Sequence, residues 1–141
     1  MKNYYKFIIL IILLFSSNNV FAEKNYFTEG ENLFNNKKYE KAKFKFEQDI
    51  LFNPKNEKSY LYLAKIFKIT KKVNLEENNL NTVILLNPRN EVAIYSLALL
   101  NLKKSNFSET EMLNKKLKKF CSKLCKEVND LESKLKNALK N

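Results

Sequence analysis

The sequence predicts an all-α fold: a stack of about three helical hairpins closed by a C-terminal capping helix. Three observations carry that prediction. Glycine occurs once and proline twice in 141 residues, so few positions can supply the left-handed or rigid turns that an all-β fold needs at short intervals. Apolar residues recur at helical spacing, as in Tyr60, Leu63, Ala64 and Phe67, and no segment alternates convincingly as a strand. Finally, the segment Leu51-Phe52-Asn53-Pro54-Lys55-Asn56-Glu57 returns 34 positions later as Leu85-Leu86-Asn87-Pro88-Arg89-Asn90-Glu91. A fixed period of that length marks stacked supersecondary units. Hydrophobic residues make up 45 % of the chain, enough for a packed core and too much for a disordered chain.

Residues 1–22 read MKNYYKFIILIILLFSSNNVFA. Lys2 and Lys6 form a positive start, Phe7 to Phe15 is an unbroken apolar run, and polar Ser16 to Asn19 lead to Val20-Phe21-Ala22. This is the order of a signal peptide cleaved after Ala22. The run is short of the roughly 20 residues that span a bilayer, and no cysteine stands at the cleavage site to take a lipid. The expected location is therefore periplasmic. The alternative is an inner-membrane protein anchored by an uncleaved N-terminal segment, which would also leave the remainder outside the cytoplasm.

Helices are expected near 24–35, 39–52, 57–70, 73–86, 91–104 and 107–120. Pro54 and Pro88 each stop one helix, because proline lacks a backbone N–H and crowds the preceding turn, and each sits comfortably at the start of the next. Asn35-Asn36 and Ser105-Asn106 mark short turns inside hairpins. Beyond Asn106 the apolar residues Leu113, Leu117, Phe120, Leu124, Val128, Leu131, Leu135 and Leu139 advance in steps of three and four. That pattern allows one long helix or two. The repeat phase favours a break around Cys121–Cys125, with a helix of roughly 126–140 covering the apolar edge of the last hairpin.

The period and the residues within it resemble the tetratricopeptide repeat (TPR), and the chain is similar to small exported bacterial TPR proteins. With the proline placed at the thirty-second position, repeat one spans 23–56. Gly30 and Ala42 take the small positions, Tyr39 and Phe46 the large ones near and beyond the turn, and Tyr26 the usual tryptophan position. Repeat two spans 57–90, with Tyr60, Leu63, Ala64, Phe67, Val73, Leu80 and Val83 in register. Glu76 replaces the expected small residue there, which puts the closeness of that helix pair in question. Repeat three, 91–124, is degenerate. Ile94, Leu97, Ala98 and Phe107 match, while Asn101, Thr110 and Asn114 depart. Residues 125–141 form the capping helix. The resemblance implies a right-handed α-solenoid.

Cys121 and Cys125 are the only cysteines. On an unbroken helix, Cβ atoms at i and i+4 lie about 5–6 Å apart, against roughly 3.5–4.5 Å in a disulfide. A bridge therefore suits a turn, and export to an oxidising compartment favours one. The C-x-x-x-C spacing is not that of thiol oxidoreductases. With no histidine and no further cysteine, no ordinary zinc site or histidine-based triad is expected. A single glycine excludes a glycine-rich phosphate loop. We therefore expect no enzyme, no metal and no cofactor.

The formal charge is +11, and residues 1–22 contribute Lys2 and Lys6 with no acid, leaving +9. Lysines interspersed with glutamates read as a solvated surface, so no nucleic-acid partner is expected. The TPR resemblance implies a groove lined by the first helix of each hairpin. By position it presents Phe27, Glu31 and Phe34, then Leu61, Lys65 and Lys68, then Tyr95, Leu99 and Leu102. Such a mixed apolar and cationic surface suits an extended or helical peptide, including an acidic one. The carboxylate-clamp version of the family has Lys and Asn where Phe27 and Glu31 stand, so that activity is not implied. The expected function is protein–protein interaction, as a scaffold or adaptor in the bacterial cell envelope. Two alternatives remain at this level. One is an anionic membrane-surface or polyanion binder using Lys115, Lys116, Lys118, Lys119, Lys123 and Lys126, with a weak membrane contact. The other is a structural protein that self-assembles through its tail helix.

Overall fold

The computed structural model describes residues 25–140. The expected signal peptide lies outside the described residues. Among the described residues seven helices follow one another: α1 (Tyr26–Asn35), α2 (Tyr39–Phe52), α3 (Glu57–Ile69), α4 (Val73–Leu86), α5 (Glu91–Lys103), α6 (Phe107–Lys118) and α7 (Cys125–Ala138). Among the described residues there is no strand. α1/α2, α3/α4 and α5/α6 pack as hairpins. Successive hairpins meet through α2 with α3 and α4 with α5, and α7 lies on α6 and touches α5. The result is the solenoid that the repeat predicts.

The period is written into the backbone. Lys37, Lys71 and Ser105 have φ of 58°, 57° and 57°, and they stand 34 residues apart. Each lies just past the first helix of its hairpin. The following amide closes the helix, with Lys38 N–H donating to Leu33 O, Lys72 N–H to Phe67 O and Asn106 N–H to Asn101 O. This is the left-handed ending that usually takes glycine; here non-glycine residues carry its steric cost. The first helix of every hairpin also begins on an asparagine whose side chain accepts a backbone N–H. Asn25 accepts from Thr28, Asn56 from Lys58 and Asn90 from Ala93. Between the first two hairpins, buried Asp49 accepts from Ser59 Oγ, from Asn56 Nδ2 at 2.7 Å and from Asn53 Nδ2 at 3.1 Å. One carboxylate thus fixes the whole inter-repeat turn.

The core has two parts. Ala42, Phe46, Leu63, Ile66 and Phe67 join the first two hairpins. A larger group runs from Ala64, Leu80 and Val83 through Ile94, Leu97 and Ala98 to Leu113, Leu117, Val128 and Leu131. The apolar side of α7 (Val128, Leu131, Leu135) is buried, so this helix caps the last hairpin. Gly30 shows why one glycine was needed. A Cβ there would stand 2.8 Å from Cε1 of Phe46, and the Phe46 ring cannot retreat because it stacks on Tyr62 at 4.9 Å.

The closeness that Glu76 put in question is retained in the second hairpin. α3 and α4 pack at least as extensively as α1 and α2, with Glu76 buried between them. Burial raises the pKa of its carboxyl, opposed by the charges of Lys68 and Lys103. A long side chain with a flexible stem can occupy a small-residue position if its head finds cations. The departures in hairpin three are likewise built in. Asn101, Thr110 and Asn114 are all buried. Thr110 Oγ1 donates to Asn106 O at 2.8 Å, and Asn101 Nδ2 donates to Leu97 O at 3.1 Å.

The chain breaks between α6 and α7. Cys121 and Cys125 flank that corner with Cα atoms 5.3 Å apart and sulfurs at disulfide-bonding distance. Glu91, at the start of α5, reaches across to the same corner. It accepts from Ser122 Oγ at 2.7 Å and from the backbone N–H groups of Ser122, Lys123 and Leu124 at 2.9, 3.1 and 3.1 Å. The Ser122 hydroxyl foremost, and then the backbone amides, hold its pKa below the ordinary carboxylate value.

Three outcomes are expected. Gly30→Ala lowers stability by about 1–2 kcal/mol, since overpacking outweighs the ~1 kcal/mol of helix propensity gained. Phe46→Leu in the same chain relieves part of that loss, which a double-mutant cycle in urea measures. Lys37→Gly, Lys71→Gly and Ser105→Gly each raise stability by about 0.5–1 kcal/mol, additively, by removing left-handed strain. Thiol titration of unreduced, denatured protein from an oxidising compartment finds no free cysteine.

Candidate functional site

Four of the residues expected to line the groove converge on one that the sequence reading missed, Tyr62. Its ring meets Phe34 edge-on at 5.0 Å and Phe27 edge-on at 5.8 Å, and it stacks on buried Phe46. Its hydroxyl donates to Glu31 Oε1 at 2.6 Å. The Lys65 ammonium sits over its face, 4.4 Å from the ring centre. A second cation, Lys58, lies 6.0 Å from the centre of Phe27. Along α3, Lys58, Tyr62, Lys65 and Ile69 follow one another at steps of four, three and four, which place them on one face. That spacing was the available signal for Tyr62. It was hidden because the core stripe Tyr60, Leu63, Ala64 and Phe67 runs beside it.

The electrostatics follow from this packing. Burial, and then the hydrogen bond and charge of Glu31, push the Tyr62 phenol up to about 12. Burial holds the Lys65 ammonium below its ordinary value, while the charge of Glu31 acts the other way. A carboxylate, a phenol and an ammonium thus stand in fixed positions on a half-buried aromatic floor.

The remaining expected residues are distributed differently. Lys68 is exposed, with its charge acting on Glu76. Leu61, Tyr95, Leu99 and Leu102 are partly buried and packed against the larger core group. The pKa of Tyr95 is raised by burial and by the charges of Glu127 and Asp130 on α7. The cap therefore brings acid to the far end of this face, while Lys58 and Lys65 put cations at the near end. Of the tail lysines, Lys118 is paired with Glu132 and Lys115 with Glu111 at 2.7 Å. Lys119, Lys123 and Lys126 are exposed and Lys116 is half-buried. Among the described residues, no group of three or more Cys, Asp or Glu side chains could hold a metal ion.

The fold has counterparts among solved structures. The first TPR of Spaghetti (RPAP3) bound to an HSP90 peptide, SRMEEVD, superposes with a TM-score of 0.72 at 18 % identity, covering 82 % of this chain and 91 % of that one. The type III secretion chaperone SycD of Yersinia enterocolitica, in complex with a peptide of the translocator YopD, gives 0.71 at 13 % identity, covering 87 % and 96 %. The Arabidopsis OM64 TPR domain gives 0.69 at 17 % identity, covering 79 % and 92 %. No family model matches the chain, and no curated protein matches it by sequence. The fold is that of TPR domains.

The Tyr62 site carries a pH signature. A phenol whose folded pKa is raised contributes stability that is fully present below its unfolded value near 10 and lost as pH rises through about 12. Ultraviolet titration of the folded protein should show one tyrosine ionising near the upper limit, and Tyr62→Phe should remove that step.

Proposed function

We propose that this protein is a non-catalytic interaction module that holds an extended or helical segment of another protein against the face built by α1, α3 and α5. The observation that carries this reading is the fixed cluster of Phe27, Glu31, Phe34, Tyr62 and Lys65. Aromatic side chains already held in place supply contact area at little entropic cost, while Lys58, Lys65 and Glu31 set the register of a polar ligand. Two of the TPR structures it resembles were solved with peptides bound, which supports a peptide as ligand. The cations at the α1/α3 end favour an acidic residue in that part of the ligand, and Glu127 and Asp130 near Tyr95 favour a basic one at the other end. The setting we propose is the bacterial cell envelope, supported by the signal-peptide order of residues 1–22 and by the paired cysteines. Self-assembly through the tail is less well supported, since the apolar side of α7 is already buried within the chain.

Cross-linking in the native host followed by co-purification should yield one dominant protein partner outside the cytoplasm. Lys65→Glu should weaken its binding by tenfold or more, about 1.4 kcal/mol, with the circular dichroism spectrum unchanged. Leu61→Glu and Tyr95→Glu should act in the same direction. Binding that ignores all three substitutions would remove the groove from the account.

A further inference from the structure

The inter-repeat turns form a row along one edge of the stack. The row is fixed by contacts. Asn87 Nδ2 in the second turn donates to Glu57 Oε1 at 3.0 Å, where the first turn ends. The Arg89 guanidinium of the second turn lies 5.2 Å from the ring centre of Phe120 in the third. Glu91 gathers the backbone of Ser122 to Leu124 in that same third turn.

The composition of this edge repeats with the period. Lys55, Arg89 and Lys123 occupy one repeat position and are all exposed. Phe52, Leu86 and Phe120 occupy another, and Leu51, Leu85 and Lys119 a third. Leu51 is 76 % exposed, Phe52 64 % and Leu85 80 %. These are large apolar side chains standing in water beside cations. The acids at the edge are engaged: Glu57 by Asn87, Glu91 by the third turn, and Glu47 by Lys43. The chain also reaches α1 here, since Tyr26 stacks on Phe52 at 5.5 Å. Residues 16–25 link that point to the apolar run Phe7–Phe15.

We propose that this edge docks on an anionic phospholipid surface, Leu51, Phe52 and Leu85 entering the interface while Lys55, Arg89, Lys119 and Lys123 meet the headgroups. Charge complementarity supplies the first argument: Glu47 is paired with Lys43, and Lys55, Arg89, Lys119 and Lys123 outnumber the two remaining acids, Glu57 and Glu91, so lipid phosphates are attracted to this edge. The alternation of apolar and cationic groups supplies the second, since interfacial binding combines apolar insertion with headgroup attraction. No helix among the described residues is long and apolar enough to cross a membrane, so the contact is peripheral. It leaves the α1/α3/α5 face free for a protein ligand.

The test uses the exported form, residues 23–141, within which the described helices and core are complete. Co-sedimentation should show binding to vesicles of phosphatidylcholine mixed with phosphatidylglycerol, weak binding to phosphatidylcholine alone, and a steep fall with salt. Each cation at the surface contributes about fivefold, so Lys55→Gln with Lys123→Gln should weaken binding about 25-fold. Leu51→Ser with Leu85→Ser should weaken it about tenfold or more. Both variants should melt like the parent, because the altered side chains are exposed, and Lys65→Gln should bind vesicles like the parent. Absence of binding to the anionic vesicles, or binding indifferent to the leucine pair, overturns the proposal. So does a leucine-dependent dimer in place of vesicle binding.

Discussion

The ring of Phe46 is the point on which the N-terminal half of the stack depends. It is fully buried, pressed against the bare backbone side of Gly30 and stacked on Tyr62 of the next hairpin. One side chain therefore sets three things: how closely α1 approaches α2, how the first hairpin meets the second, and where Tyr62 stands. Interiors are packed too tightly for any of these to change independently. The cluster that we propose for ligand binding is in this sense an outward continuation of the core.

A helical hairpin cannot bury its apolar face alone, so the stack relies on what recurs at each junction. Here the recurrence is as much polar and conformational as apolar. A left-handed residue ends each first helix, an asparagine starts it, and a carboxylate holds each inter-repeat turn. Asp49 serves the first turn, Glu57 the second and Glu91 the third. This explains how hairpin three keeps its geometry after losing much of the apolar pattern. Two of its polar replacements, Asn101 and Thr110, are buried with their side chains donating to backbone carbonyls, and Glu91 ties the turn between α6 and α7 to the start of α5.

The two surfaces described here differ in physical character. On the α1/α3 face the aromatic groups are half-buried and the charges are held, which suits selection of one ligand over others. On the turn edge Leu51, Phe52 and Leu85 are largely exposed and the cations are exposed lysines together with Arg89, which suits a fluid, weakly specific surface. Both arise from the same period, because equivalent residues of successive repeats must fall in rows.

The sequence by itself determined the fold. A 34-residue recurrence of Leu-x-Asn-Pro, with small residues at Gly30 and Ala42 and apolar steps of three and four, admits little but stacked hairpins, because period and patterning are local properties of the chain. The break at Cys121–Cys125 was favoured by the repeat phase, although the apolar steps alone allowed one long helix, and the structure shows the break. The tertiary structure decided what depends on neighbours distant in sequence. Glu76 stands at a small-residue position, and its burial there is offset by the charges of Lys68 and Lys103 on neighbouring helices. Tyr62 lay one position from the expected stripe, and its importance comes from Glu31 and Phe34 on another helix. Gly30 was recognised as a small position from the sequence, but that it answers to Phe46 is a fact of packing. Side-chain partners across helices depend on rotation and offset to within an ångström or so, and a one-dimensional pattern does not carry that information.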